Sequence, residues 1–316
     1  MSTVRGLELS RKFYEECGKK LIASELAELE GQIAAGLVGE GSECFGFDDD
    51  ISRDHDWGPA FCLWLPEDVL VANAERIEKA LSGLPESFEG FRVRMKPEDR
   101  MGRVGLMPIE GFYRRFLNVP SCPKTLGEWR AIPEHYLAVA TNGMVFCDPL
   151  GKFSAIREEL LRFYPEDLRL KKIAARCVAA AQAGQYNLPR MMARHSYTAV
   201  SICSARFTEA VISMLYLLNK KYMPFYKWAH AGLAKIGSPL AEGVGASLEQ
   251  LCCLTPLENT ASDYAALIED ICQRLADELV AQGLSDSNDP WLYEQGPTVQ
   301  ARIQHEGLRR LPVQFD

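Results

Sequence analysis

The chain has 316 residues, a net charge of −8 and an apolar fraction of 47%. That length carries one large domain or two ordinary ones, with enough apolar residues to fill a core. The acidic balance, with a pI near 5.4, argues against a surface built to coat nucleic acid. No run approaches the ~18–20 uncharged apolar residues of a membrane span. Met1 to Ser10 holds no basic segment leading into a long apolar run, so a signal peptide is not expected and a cytoplasmic location is. The ten cysteines are scattered without a Cys-x-x-Cys pair, which excludes the usual zinc spacings and predicts reduced thiols packed as small hydrophobes.

In chain order, residues 7–30 read as an amphipathic helix, with Leu9, Phe13, Cys17 and Leu21 on one stripe. Ile33 to Gly39 forms a first strand, and a loop rich in Gly and Asp runs from Gly41 to Arg53, in which the triplet Asp48-Asp49-Asp50 reads as solvated. Phe61 to Leu65 is apolar on both faces, as in a covered strand. Pro66-Glu67-Asp68 then opens a helix that runs to about Leu81. Residues 90–95 alternate as a strand with a basic face, and Val104 to Ile109 makes another. Short helices follow at Phe112 to Leu117 and from Pro133 to the Asn142-Gly143 turn. Met144 to Cys147 is a short apolar strand that ends on Asp148.

Beyond about residue 151, strand signals vanish. Helical patterns cover 154–163, 165–182, 189–219, 226–236, 239–254 and 260–282, with a last one near 298–309. The fold class expected is α+β: a mixed sheet with flanking helices over residues 1–150, then an all-helical domain over residues 151–316.

The chemistry concentrates between residues 39 and 58. Gly41-Ser42 follows the first apolar strand and offers backbone N–H groups and a hydroxyl to phosphate oxygens. Eleven residues later comes Asp54-His55-Asp56. On a strand leading into Phe61, the two acids would share a face, a natural place for a divalent cation, and His55 would point away. The bland alternative is an Asx turn ahead of the strand.

Gly41-Ser42, the eleven-residue spacer and Asp54-x-Asp56 with Trp57 behind it resemble the DNA polymerase beta-like nucleotidyltransferase superfamily. The string Ser52-Arg53-Asp54-His55-Asp56-Trp57-Gly58-Pro59 also resembles a bacterial family of unknown function usually placed in that superfamily. So do Val145 to Gly151, Gln185-Tyr186-Asn187 with Arg190, and Leu218-Asn219 to Trp228. His55 departs from the superfamily pattern, which has an apolar residue there.

The resemblance implies a nucleotidyltransferase-like fold with an appended helical bundle. It implies magnesium, or manganese, held by Asp54, Asp56 and a third acid, and a triphosphate held by Gly41 and Ser42. Asp148 is the choice for the third acid, with Glu110 as competitor; the plain reading of Asp148 is a cap on the turn at Pro149. Arg53, Arg157, Lys171, Lys172, Arg190 and Lys227 are candidates to meet the phosphates. Lys227 leads because its aromatic neighbours suggest a partly buried position.

The enzyme implied moves a nucleoside monophosphate, AMP from ATP in the first instance, onto an acceptor hydroxyl of a small molecule or a protein and releases pyrophosphate. The alternatives are a nucleotide-sensing or interaction module that keeps the fold without catalysis, and a plain helical interaction protein. The acceptor itself is not legible.

Overall fold

Six strands form in the described residues, which span 4–316 in this computed structural model: β1 Ala34–Leu37, β2 Cys62–Leu65, β3 Ser87–Phe88, β4 Phe91–Arg92, β5 Gly105–Pro108 and β6 Met144–Cys147. Met1 to Thr3, the start of the first predicted domain, lie outside them. β3 and β4 make a separate hairpin. The other four strands form one mixed sheet in the order β5-β2-β1-β6, with β1 antiparallel to both β2 and β6 and β2 parallel to β5. The molecule is therefore α+β, as expected.

β1 and β2 are buried along their whole length, which is what their two-sided apolar character requires. Gly36 sits where a Cβ would lie 2.5 Å from the Met144 carbonyl and 2.9 Å from the Trp64 ring. Only glycine lets β6 and Trp64 approach together, and the β1–β6 register slips beside it.

The first helix runs from Gly6 to Glu25 as one rod with a π turn over Tyr14–Gly18, and it ends earlier than the predicted 30. The predicted strand 90–95 shrinks to β4. Past it Val93 N still donates to Glu86 O at 3.0 Å, and Arg94 N donates to Pro59 O at 3.0 Å. Proline has no N–H to give back, so the pairing ends there.

The chain divides into two units, Met1–Arg162 and Phe163–Asp316, a boundary later than the 150/151 read from the pattern change. The reason is the helix Lys152–Leu161. Its Phe153 is fully buried and stacks on Trp64 at 4.0 Å, while the Phe153 carbonyl accepts from Tyr113 Oη at 2.9 Å. Those contacts tie the helix to the sheet rather than to the chain that follows.

The second unit is helical, as expected. Glu166–Ala180 continues through a π turn, Ala181–Asn187, into Leu188–Ala193. The single helix predicted over 189–219 breaks at His195, whose φ is +54°, and restarts as Tyr197–Leu218. Tyr226–Leu233, Pro239–Cys253, Ala261–Ala281, Leu292–Gln300 and Glu306–Arg309 complete it.

Tyr197–Leu218 is long and apolar enough to cross a membrane by length and composition, but it carries Arg206 and Glu209, so it is not the uncharged apolar run that the sequence reading looked for; 61% of its most apolar window is buried. All ten cysteines are free thiols. Burial pushes those of Cys62 and Cys177 up to about 12, whereas Cys252 and Cys253 are exposed.

Candidate functional site

The register of the sheet decides which residues can meet. β2 runs antiparallel to β1, with Gly36 opposite Cys62. The C-terminal end of β1 therefore lies beside the start of β2, and β5 starts there too, with Gly105 opposite Cys62. At this end sit the Gly39–Ser42 turn, the loop 48–59 that enters β2, and Arg103 just ahead of β5.

The turn is firmly held. Asn142 brackets Gly39, accepting its N–H at 3.0 Å and donating to its carbonyl at 2.7 Å. Gly143 N donates to Cys44 O at 2.8 Å. Gly143 has φ +60°, and a Cβ there would fall 2.0 Å from Leu37 O, so the tight turn depends on glycine. Arg157 supports the same turn by donating to Thr141 O at 2.7 Å and Gly143 O at 3.4 Å.

Beneath the turn lies a buried charge cluster that sequence reasoning missed. Glu43 packs its carboxylate against Gly41, where an added Cβ would lie 2.3 Å from Oε1. Arg94 Nη2 is 3.5 Å from that oxygen, and both side chains are under a tenth exposed. Burial raises the Glu43 carboxyl above its ordinary range, and Arg94 opposes the shift. Arg94 Nε and Nη1 make no hydrogen bond within the protein. A Glu in a loop and an Arg on a short extended run look like solvated residues in a sequence, which is why neither stood out; the adjacent glycine was the available signal.

Asp54 and Asp56 are at this end, but not on a strand. Asp54 closes a 3-10 turn, Ile51–Asp54, and Asp56 has φ +52°. β2 begins only at Cys62, because Gly58-Pro59 interrupts the extended run. Same-face alternation therefore does not apply. His55, expected to point away, sets Nδ1 2.6 Å from Asp54 Oδ1, and both side chains are more than half exposed. Asp56 Oδ2 accepts from Arg103 Nη1 at 3.0 Å.

The neighbouring Asp48, read earlier as part of a solvated triplet, is buried. It anchors the loop by accepting from Gly6 N at 2.7 Å and Trp57 Nε1 at 3.1 Å. Arg53 lies over the Trp57 ring at 4.9 Å, donates to Val4 O and pairs with Asp50 at 3.1 Å, while its buried Nε makes no hydrogen bond within the protein.

Asp148 is at the other end of the sheet. Cys147 lies opposite Ala35, so Asp148, one residue further on, is roughly 16 Å along β1 from Gly39, at ~3.3 Å per residue. Its carboxylate accepts from Ser154 N at 2.7 Å and its carbonyl from Gly151 N, which is the plain capping role. Glu110 also follows the far end of β5. The register thus brings Gly41, Ser42, Asp54 and Asp56 to one end and leaves both third-acid candidates at the other. Among the described residues no three His, Cys, Asp or Glu side chains are grouped as a metal site.

The donor chemistry of Asp54 and Asp56 still fits magnesium. That hard cation takes one or two carboxylates and completes its shell with substrate phosphates and water.

The remaining predicted cations belong to the helical unit. Lys171 is fully buried and donates to Gln300 Oε1 at 2.5 Å and Pro312 O at 2.8 Å. Lys172 pairs with Asp316. Arg190 lies over the Tyr186 ring at 4.8 Å. Lys227 is exposed rather than partly buried, with its ammonium 5.0 Å over Trp228. The cations that the sheet does bring to the Gly41 end are Arg94, Arg103 and Arg115, the last paired with Glu40.

Residues 129–229 match a family described as a domain of unknown function, DUF4037. The matched span contains Val145 to Gly151, Gln185 to Arg190 and Leu218 to Trp228. It leaves out residues 39–58, so it speaks for an uncharacterised family and carries no information about nucleotidyl transfer. No curated protein and no solved structure matches the chain.

Proposed function

We propose that the Gly41 end of the sheet binds a nucleoside triphosphate, ATP in the first instance, with magnesium or manganese. In this reading the protein is a cytoplasmic nucleotidyltransferase that moves the nucleoside monophosphate onto an acceptor hydroxyl of a small molecule or a protein. The observation that carries the reading is the β1–β2 register, which sets the Gly41-Ser42 turn beside the Asp54–Asp56 loop.

Phosphoryl transfer needs positioning and charge neutralisation more than covalent chemistry. Asp54 and Asp56 would hold the cation, which supplies neutralisation of phosphate charge. Gly41 and Ser42 present a backbone N–H and a hydroxyl. Arg103 releases Asp56 and turns to a phosphate oxygen. The acceptor oxygen bonds to the α-phosphorus as the bond to pyrophosphate breaks, and the hydroxyl proton is lost to water. Asp148 takes no part, because its carboxylate caps a helix.

A second reading, a nucleotide sensor without transfer, is favoured by one observation: Asp56 is paired with Arg103, and among the described residues no third acid joins it.

The test is a thermal-shift titration with each of the four ribonucleoside triphosphates and magnesium, followed by pyrophosphate release with pooled hydroxyl acceptors. Transfer predicts stabilisation and pyrophosphate, both lost in Asp54→Asn/Asp56→Asn. Stabilisation without pyrophosphate from any triphosphate selects the sensor. If no triphosphate stabilises the protein, both readings fall.

A further inference from the structure

The helical unit contains a cavity of about 390 Å³, within the size range of small-ligand pockets, with an apolar lining into which several polar side chains converge. Arg176 and Ser213 line it, together with Gln182, Asn187, Arg206 and Glu209. Arg176 is held as a receptor for carboxylate. Its Nε donates to Ser213 Oγ at 2.9 Å, which fixes the plane of the guanidinium. Its two terminal nitrogens meet the two side-chain oxygens of Asp316, Nη1 to Oδ1 at 3.3 Å and Nη2 to Oδ2 at 3.1 Å. Lys172 Nζ adds a third contact at 3.3 Å. This is the parallel, two-pronged geometry that arginine offers a carboxylate.

Arg206 comes from the neighbouring helix, Tyr197–Leu218, and is exposed. Among the described residues it has no ion-pair partner. A cavity with one arginine already seated on a carboxylate and a second arginine unengaged has the chemistry of a two-anion site.

We propose that this cavity binds a small dicarboxylate, with one carboxylate taking the Arg176 fork from Asp316 and the other meeting Arg206. Asp316 is then an internal competitor: the segment that carries it must release Arg176 before the ligand seats. Gln182 and Asn187 supply neutral donors and acceptors for the body of the ligand. Two separated cations, Arg176 and Arg206, suit two separated carboxylates better than the single compact centre of inorganic phosphate, and Glu209 on the same wall limits the net positive charge. The site is separate from the nucleotide reading and stands or falls without it.

Isothermal titration with glutarate, and with inorganic phosphate as the contrasting anion, tests this on the full chain. Wild type binds glutarate weakly. Asp316→Ala tightens binding about fivefold or more, because the competing state is removed. Arg206→Ala weakens it about tenfold, the scale of one lost charge-assisted contact. Asp316→Asn, which keeps the shape and loses the charge, moves in the same direction as Asp316→Ala and serves if the alanine variant fails to fold. In wild type, glutarate also slows alkylation of Cys203, a half-buried thiol on the cavity wall, and leaves exposed Cys252 unchanged, as read by peptide mass spectrometry. No glutarate binding to wild type or to either Asp316 variant overturns the proposal. So does binding that Arg206→Ala leaves intact, or phosphate binding tighter than glutarate.

Discussion

The two ends of the four-stranded sheet each carry acids at strand boundaries, yet they use them oppositely. At the far end Asp148 gives one oxygen to the Ser154 N–H, and the helix Lys152–Leu161 starts on it. Its bonding is spent on the backbone. At the Gly41 end the carboxylates of Glu43 and Asp56 face arginine side chains, Glu43 with its own backbone N–H beside it, and Arg94 keeps two donors without a protein partner. A carboxylate that satisfies local N–H groups is part of the scaffold. Charges that only partly satisfy one another are available to a ligand.

The sharpest way to break the contrast is Arg94→Ala. Removing one member of a buried ion pair leaves the other charge uncompensated and costs ~3–5 kcal/mol. Glu43 already has its carboxyl raised by burial, and its own backbone N–H and then Arg94 oppose that rise. Without Arg94 the folded-state value rises further. A carboxyl that binds its proton more tightly when folded lowers stability as pH rises through the interval between its unfolded and folded values. Urea midpoints of the variant should therefore fall from pH 5 to pH 8 more steeply than those of wild type. Adding Glu43→Gln should remove that slope. A loss under ~1 kcal/mol, with no dependence on pH, would mean that the pair is not buried as a charge.

Asp148→Ala tests the other end. A lost cap costs typically ~1 kcal/mol, within a range of about 0.5–2. The unfolding free energy from urea titration should drop by that amount while nucleotide-dependent stabilisation stays as in wild type. If stabilisation by triphosphate and magnesium disappears in a folded Asp148→Ala protein, Asp148 belongs to the site and the division between the two ends fails.

Much of the first unit was legible because local chemistry and tertiary role agree there. The two-sided apolar run at Phe61–Leu65 and the proline and acids at Pro66–Asp68 produced the elements they announce. The Asn142-Gly143 turn was read correctly as a turn, but its larger role, bracketing Gly39 across more than a hundred residues, depends on strand pairing that no local pattern encodes. Asp148 failed for the same reason. A strand end followed by proline looks alike at either edge of a sheet, and only the register with β1 says which edge it is. His55 was misplaced because alternation was applied to residues that Gly58-Pro59 keeps out of the strand. Asp48 was passed over because three consecutive aspartates look solvated, although the first of them meets Gly6 N and Trp57 Nε1.

The smallest stability effect is expected where the functional one is largest. Asp56 and Arg103 have side chains 29% and 38% exposed, so their 3.0 Å pair is screened by solvent. Exposed or partly exposed pairs contribute ~0–1 kcal/mol, and Asp56→Asn keeps the shape and one acceptor oxygen. The variant should melt within that margin of wild type without ligand. With triphosphate and magnesium it should lose the stabilisation that wild type gains, because an amide is a poor ligand for a hard cation that binds through one or two carboxylates. Arg103→Ala separates two roles. If Arg103 only orders the loop, triphosphate stabilisation falls in step with the loss of the Asp56 bond and is insensitive to salt. If it turns to a phosphate oxygen, the wild-type affinity weakens with added salt and the variant loses that dependence. A variant that matches wild type in both affinity and salt response would remove Arg103 from the site and leave Arg94 and Arg115 as the cations at the Gly41 end.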